Sequence, residues 1–187
     1  MPITDVMIDL ETLGTRVESG VPILSVGWCC WDEKQPWPQH GPYQAAQLFV
    51  RNSPGMVDVA TVAWWAKQGD NGTAFDVLLS RCAKEGVLLD NALIDLRNMV
   101  ESLDAPRIWS HGSMFDIAIL EYWYRRSPLG TIPWKYWQVM DTRTIYAACR
   151  EKLRTANTHD AMADAINQAS LVYECWERTR AARSGPR

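Results

Sequence analysis

The chain has 187 residues, 47% of them hydrophobic and 22% charged, and is long enough to bury the core of one globular domain without disulfides or metals. Its net charge of −3 excludes a bulk attraction to nucleic acid or to anionic membranes, so any polyanion would need a local cationic site. There is no basic region followed by a long apolar run at the N-terminus and no stretch of about 18 apolar residues, so we predict no signal peptide, no membrane span and a cytoplasmic location.

The five cysteines predict reduced thiols rather than a disulfide framework. Their number is odd and no two are spaced as C-x-x-C, which also argues against a zinc site. We expect most of them to be buried as small apolar side chains.

Three strands are predicted in the first fifty residues. Apolar runs at Thr4 to Leu10 and at Pro22 to Trp31 are separated only by a turn-rich segment, which predicts an antiparallel hairpin. A loop rich in proline and glycine over residues 35–42 precedes a third strand at about Gln44 to Val50.

Helices and strands alternate in the remainder of the chain. Apolar residues in Leu88 to Leu103 recur at the i, i+3, i+4 and i+7 spacing of an amphipathic helix. The other predicted elements are helices at Val57 to Lys67, 113–126, 142–152 and Asp160 to Arg180, and strands at 107–112 and Tyr136 to Met140. Antiparallel strands followed by this alternation predict an α/β fold with a mixed sheet flanked by helices.

Four carboxylates occupy comparable places at the ends or on the faces of these elements. Asp9 and Glu11 lie two residues apart on the first strand and therefore share one face of it. Asp116 follows a later strand and Asp164 lies on the last helix, so this fold can bring all four together. Clustered carboxylates repel one another unless cations compensate them, and their hard oxygen atoms suit Mg²⁺ or Mn²⁺. Two such ions support phosphodiester hydrolysis, whereas an isolated D-x-E pair is usually a polar strand end.

His159 can supply the proton acceptor that such a reaction needs, and it lies five residues before Asp164. Five helical residues rotate a side chain by about 500°, so the two residues cannot face one site from a continuous helix. We therefore predict that His159 lies on a loop or at the start of the helix, with Asp164 on a helical face. Taken alone, His159 also fits a capping or exposed histidine.

Three motifs, in this order, resemble the DEDDh, or DnaQ-like, 3′-to-5′ exonucleases of the ribonuclease H-like superfamily. They are D-L-E at residues 9–11, H-G-S-M-F-D ending at Asp116, and H-D-A-M-A-D at residues 159–164. The opening M-I-D-L-E-T-L-G-T, the tryptophan pair at 64 and 65, and D-T-R at 141–143 are similar to the branch that contains RNase AS and exodeoxyribonuclease VIII-like proteins. We predict a single exonuclease domain over residues 1–180 and an Arg-rich, solvated tail over residues 181–187.

The resemblance implies a role for each residue of these motifs. Two metal ions, Mg²⁺ or Mn²⁺, would be bound by Asp9, Glu11, Asp116 and Asp164, with His159 as the general base. The residues expected to meet the 3′-terminal nucleotide are Thr12, Leu13, Trp64, Trp65 and Gln68, although Leu13 and the tryptophans also fit a packing role. His111 is expected to be a hydrogen-bonded histidine beside a turn, and Arg143 either to contact a phosphate or to pair with Asp141.

The implied activity is release of 5′-mononucleotides from the 3′ end of single-stranded nucleic acid, with RNA favoured over DNA. A homodimer is a reasonable assembly for such a protein. Two alternatives stay open from the sequence: a non-catalytic nucleic-acid- or nucleotide-binding module on the same fold, and a short oligonucleotidase.

Overall fold

A five-stranded sheet organises the computed structural model, which describes residues 3–32, 34, 43–70, 72–149 and 159–184. The strands are β1 (Asp5–Thr12), β2 (Ile23–Trp31), β3 (Gln44–Phe49), β4 (Arg107–Ser110) and β5 (Val139–Asp141). They lie in the order β3-β2-β1-β4-β5. β2 is antiparallel to both β1 and β3, whereas β4 is parallel to both β1 and β5. The predicted mixed sheet, antiparallel first and then parallel, is confirmed.

Helices pack on both faces of this sheet. They are α1 (Val59–Trp65), α2 (Thr73–Glu85), α3 (Leu89–Glu101), α4 (Asp116–Arg126), α5 (Thr142–Cys149) and α6 (Ala161–Ser184). The last of these extends beyond the predicted end at Arg180. The loop predicted at residues 35–42 and the end of the helix predicted to reach 152 lie outside the described residues. None of the helices in the described ranges is long and apolar enough to cross a membrane.

Alternation along β1 builds two separate hydrophobic cores. Val6, Ile8 and Leu10 belong to the core that α3 and α4 cover, whereas Met7 belongs to the core beneath α5 and α6. Asp9 and Glu11 follow Met7 by two and four residues, so they share its face of the sheet. The alternation of the strand is therefore sufficient to direct both carboxylates towards α6.

α6 lies so close to the sheet that β2 has room only for a glycine where the two meet. A Cβ atom on Gly27 would overlap the backbone of Ala161 and Met162. Gly27 is the register partner of Asp9, so this contact holds the start of α6 beside the first carboxylate. Ala165, one turn further along the helix, is fully buried and continues the close packing.

Replacing Gly27 with alanine is expected to separate α6 from the sheet, because backbone atoms leave no room for the methyl group. We expect the free energy of unfolding to fall by about 1–3 kcal/mol, as for other overpacked sites, together with a loss of divalent-metal binding. Denaturant unfolding and Mn²⁺ titration would measure the two effects. Gly130→Ala is a matched control: its φ of 64° strains an alanine by roughly 1–2 kcal/mol, while an added Cβ would meet no atom of the described residues within 4 Å, apart from its chain neighbours. Equal Mn²⁺ binding by both variants would contradict the role of Gly27.

The buried strand predicted at Tyr136 to Met140 is wrong in its first half, and the strand in its second half is only partly buried. Residues 136–138 form a 3-10 turn in which Tyr136 is 84% and Trp137 63% exposed, and β5 contains only the residues after it. Gln138 stabilises the turn, since its side chain is buried and its Nε2 donates to the carbonyl of Pro106 at 2.7 Å. The apolar residues of this segment indicated a strand, but the buried side chain of Gln138 stabilises a turn there instead.

Sequence patterning does not predict α2. Only Leu78 and Cys82 are buried on this helix, so its apolar stripe consists of one i, i+4 pair. Both residues pack with Phe49 and Trp65 in a third, smaller core. The helix is therefore stabilised by contacts with distant parts of the chain, which its own sequence does not reveal.

The cysteines behave as predicted. All five are free thiols, and four of them are buried, while Cys149 is partly exposed. Burial raises the pKa of Cys30 to about 12, which keeps that thiol protonated at neutral pH.

Candidate functional site

Three of the four predicted carboxylates meet at one point. Asp9 and Glu11 on β1 and Asp164 in the first turn of α6 each offer one oxygen atom, and these atoms lie within 4.8 Å of one another. Glu11 and Asp164 are buried, and Asp9 is partly exposed. The alternation of β1 supplies two of these groups, and the close approach of α6 supplies the third.

Asp116 lies beside this group at the first residue of α4. It is only 4% exposed, and burial, followed by the negative charge of Asp9, raises its pKa well above the usual range. The charge of Glu11 acts in the same direction. Because β4 runs parallel to β1, the turn after β4 brings Asp116 to the same edge of the sheet. The structure therefore brings the fourth predicted carboxylate next to Asp9 and Glu11.

Burial and mutual repulsion perturb the carboxylates strongly. Burial, then the charges of Asp9, Asp164 and Asp160, raises the pKa of Glu11 to about 9. Burial raises the pKa of Asp9 to about 7, although a hydrogen bond from Gln168 lowers it. The charges of Asp164 and Asp160 raise this pKa further. Carboxylates held this close are ones that a divalent cation would stabilise, and an all-oxygen donor set is the kind that Mg²⁺ and Mn²⁺ prefer. The residues present therefore fit a hard-metal centre.

His159 lies just before α6, as the rotation argument predicts. Its backbone has a φ of 53°, and α6 begins two residues later at Ala161. The imidazole ring meets Trp64 and Trp65 edge to face, each at a centroid distance of 5.2 Å. Burial lowers the pKa of His159, although the charge of Asp164 raises it.

Gln68 determines which nitrogen of His159 carries the proton. Its Nε2 donates to the carbonyl oxygen of Trp64 at 3.0 Å, which leaves Oε1 to face the Nε2 atom of His159 at 3.1 Å. Because an amide oxygen only accepts, the histidine Nε2 is protonated and Nδ1 bears the lone pair of the neutral ring. Nδ1 is buried, and no hydrogen bond to it is seen within the described ranges.

Changing Gln68 to glutamate is expected to raise the pKa of His159, because a carboxylate beside Nε2 stabilises the imidazolium form. The chain has three histidines, so proton NMR titration can follow His159 after assignment with a His159→Gln variant. Gln44→Glu adds the same charge at an exposed position on β3 and should leave the titration unchanged. An unchanged His159 titration in Gln68→Glu would contradict the hydrogen bond.

A pocket of about 450 Å³ opens beside the carboxylates. Glu11, Thr12, Trp64, Trp65 and Phe115 are among the residues that line it. Its volume lies within the range of small-ligand pockets, which is roughly 300–1,000 Å³. Three of the five residues predicted to meet a nucleotide thus surround one cavity next to the acidic cluster.

The other two residues predicted to meet a nucleotide have different surroundings. Leu13 is half-buried and packs against the small core of α2, and Gln68 contacts His159. Trp65 is itself 1% exposed, and its Nε1 donates to the carbonyl oxygen of Thr12 at 2.9 Å. Trp65 therefore fixes the end of β1, whereas Trp64, which is 43% exposed, presents more of its surface to solvent.

His111 and Arg143 lie near the start of α5. Nδ1 of His111 is 2.8 Å from the hydroxyl oxygen of Thr142, so it is a hydrogen-bonded histidine, as expected. Arg143 contacts Asp141 through its backbone N–H at 2.8 Å, while its guanidinium lies against Gly112.

Comparison of the sequence with known families assigns the chain to one of them. The family profile described as the 3′-5′ exoribonuclease Rv2179c-like domain matches residues 4–176. The chain belongs to this family. Its matched range includes all four carboxylates and His159, and membership confirms the 3′-to-5′ exonuclease class predicted from the three motifs. No curated protein sequence matches the chain.

Solved nuclease structures share the fold of this Rv2179c-like chain. The zinc-bound form of the E. coli ExoI–ssDNA complex gives a TM-score of 0.67 at 13% identity, over 96% of this chain and 42% of the ExoI chain. S. pombe Pop2p in its Mg²⁺- and Mn²⁺-bound form gives a TM-score of 0.60 at 15% identity, over 94% of this chain and 84% of the Pop2p chain. The nuclease domain of 3′hExo, a DEDDh family member bound to rAMP, gives a TM-score of 0.53 at 13% identity, over 92% of this chain and 91% of the 3′hExo chain. These similarities confirm the ribonuclease H-like sheet.

Some residues of the site are not singled out by sequence patterns. Gln168 is buried and bonds to Asp9, and Phe115 and Asp58 line the pocket. Gln168 lies four residues after Asp164, so helical periodicity places both on one face of α6 and could have identified it. Asp58 is the N-cap of α1, where its Oδ1 accepts from the Ala60 N–H, so its sequence signal is that of a helix start and not of a pocket.

Proposed function

We propose that this Rv2179c-like domain hydrolyses the last phosphodiester bond at the 3′ end of single-stranded RNA and releases 5′-mononucleotides. The observation that carries the proposal is the set of three carboxylate oxygens within 4.8 Å of one another, one of them from Glu11, which also lines the pocket. The exoribonuclease description of the family supports RNA as the preferred substrate.

We propose that Asp9, Glu11, Asp116 and Asp164 bind two divalent cations, Mg²⁺ or Mn²⁺. Such ions would stabilise the charge that develops on the attacking and leaving oxygens of an in-line displacement. The carboxylates contribute the negative charge that fixes them, at a point where burial and repulsion otherwise disfavour ionisation. The positive charge of the bound cations would also offset the net charge of −3, which by itself gives no attraction to a polyanion.

The pocket residues are proposed to hold the terminal nucleotide. Trp64 exposes an aromatic surface on which a base can stack, a contact worth about 1–3 kcal/mol and tolerant of sequence. Thr12 Oγ1 donates to the Gly14 carbonyl at 3.0 Å, so its lone pairs are available to accept from a sugar hydroxyl. A single nucleotide held beside Glu11 brings its phosphodiester bond to the carboxylates.

His159 is proposed to accept the proton of the attacking water. Its neutral ring has a lone pair on Nδ1, but that atom is buried, and Nε2 is bonded to Gln68. The ring must therefore turn out of its contact with Trp64 and Trp65 before it can accept a proton. Substrate in the pocket would touch Trp64, which also contacts His159, so nucleotide binding and release of the base involve the same side chain.

A time course on matched RNA and DNA oligomers tests this proposal. With a 5′ label and Mg²⁺ or Mn²⁺, we expect a ladder that shortens from the 3′ end, faster on RNA, and no cleavage in EDTA. Faster hydrolysis of DNA would contradict the preferred sugar. Intact oligomers in every lane would contradict the exonuclease, and would favour a binding module or, if dinucleotides are cleaved, a short oligonucleotidase. The homodimer and the cytoplasmic location remain predictions from the sequence.

A further inference from the structure

Gln168 is a buried polar side chain at the acidic cluster whose role is not explained by the proposed chemistry. It lies on α6 one turn after Asp164 and is 5% exposed. Its Nε2 donates to Oδ1 of Asp9 at 2.8 Å, a bond that joins α6 to β1. Burying an amide is costly unless its groups are hydrogen-bonded, so packing alone does not explain why a glutamine is buried at this position.

The other end of the same amide has no hydrogen-bond partner in the described parts of the chain. Oε1 of Gln168 is buried, and no donor reaches it there. An acceptor left in this state costs roughly 1–3 kcal/mol, and such atoms are retained mainly where a ligand or a water molecule satisfies them. Because the neighbouring groups include carboxylates that fit a metal centre, a hydrating water at that centre is the donor this oxygen would take.

The backbone at Gln168 is held as firmly as its side chain. The hydroxyl group of Tyr146 on α5 donates to the Gln168 carbonyl oxygen at 2.9 Å, and Tyr146 is only 4% exposed. This bond ties α5 to α6 at the turn that carries the amide. The position of the donor towards Asp9 is therefore set by two helices and a strand.

We propose that Gln168 is a positioning residue of the metal centre, which orients Asp9 through its amide N–H and offers its buried amide oxygen to a water molecule held at that centre. A neutral donor suits this task, because it fixes the carboxylate without the positive charge of a lysine or arginine, which would compete with a cation. The inference rests on the proposed function, since it needs the carboxylates to bind metal.

Calorimetric titration of the full chain with Mn²⁺ alone tests this inference. Gln168→Met keeps the length of the side chain and removes the donor, while Gln168→Asn keeps the amide but withdraws it from Asp9. Both should bind Mn²⁺ about 10–100-fold more weakly than wild type, the usual effect of losing a group that orients a metal ligand. Gln138→Met is the matched control, because Gln138 is also buried but bonds to Pro106, and its Mn²⁺ affinity should be unchanged.

The outcomes separate this inference from the proposed function. Wild-type protein that binds no Mn²⁺ would contradict the metal centre itself and, with it, the inference. Wild-type affinity in either folded Gln168 variant would overturn the positioning role and leave the metal centre intact. Loss of folding in both variants, judged by near-UV circular dichroism, would also overturn it, because Gln168 would then be a core residue. Weaker binding with a native spectrum supports it.

Discussion

Replacing Asp9 with alanine is expected to lower the rate of phosphodiester hydrolysis by roughly a thousandfold or more. Asp9 offers one of three oxygens within 4.8 Å, and its loss would remove a ligand from the proposed metal centre. Lewis-acid stabilisation is worth several kcal/mol, and each 1.36 kcal/mol changes a rate about tenfold. Steady-state hydrolysis of a 5′-labelled RNA oligomer with saturating Mg²⁺ would measure the effect.

Asp95→Ala is the matched control, because Asp95 is an exposed carboxylate on α3. We expect wild-type hydrolysis from this variant. A thermal readout adds a second test, since a bound ion stabilises the native state: Mn²⁺ should raise the melting temperature of wild type and Asp95→Ala but not that of Asp9→Ala. Wild-type activity in Asp9→Ala would remove the basis for the metal site.

Changing His159 to glutamine is expected to slow hydrolysis at neutral pH by about 10²–10⁴-fold, the typical loss of a general base. Burial lowers the pKa of His159 below its ordinary value of 6.5. The neutral, proton-accepting ring therefore persists below pH 6.5, and the wild-type rate should fall only when the pH drops further and the ring becomes charged. In His159→Gln this acid limb should disappear from the pH profile of kcat/KM, which reports the pKa values of the free enzyme.

His111→Gln provides the control for the histidine experiment. The pKa of His111 is also lowered, by burial and then by Arg143, but its Nδ1 is bonded to Thr142 at the start of α5. We expect the His111 variant to keep both the rate and the acid limb. If the limb disappeared with His111→Gln and remained with His159→Gln, the base would be assigned to the wrong histidine.

The parts of the site that follow from local geometry could be predicted from the sequence. Asp9 and Glu11 share a face because side chains in a strand alternate, and that face is the one towards α6. His159 lies outside the helix that carries Asp164, because five residues cannot turn both side chains to one side. The period of each element was enough for these predictions.

The parts that depend on contacts between distant segments could not be predicted. Gly27 has no signal in its own strand, and only the approach of α6 explains why a side chain is excluded there. The resemblance implies that Gln68 meets the terminal nucleotide, and only the fold shows that its amide also contacts His159. Likewise, the hydrogen bond from Gln138 to Pro106 stabilises a turn where the sequence predicted a strand.

The helix α2 also could not be predicted, because contacts with distant segments stabilise it. Its buried stripe is too short to indicate a helix, and it packs against Phe49 and Trp65 from other elements. Trp65 in turn donates to the end of β1 at Thr12, so a segment without a sequence signal supports the pocket wall. Local patterns thus predicted which carboxylates and which histidine belong to the candidate site, and tertiary packing determined how they are held.

Anomalous diffraction from crystals of the full chain grown with Mn²⁺ tests the central claim most directly, because manganese can be located independently of any assumed ligand. We predict two anomalous peaks, bound by carboxylate oxygens of Asp9, Glu11, Asp116 and Asp164. Crystals of protein that is active with Mn²⁺, but without a peak at these four residues, would contradict the assignment of the acidic cluster as the catalytic metal centre.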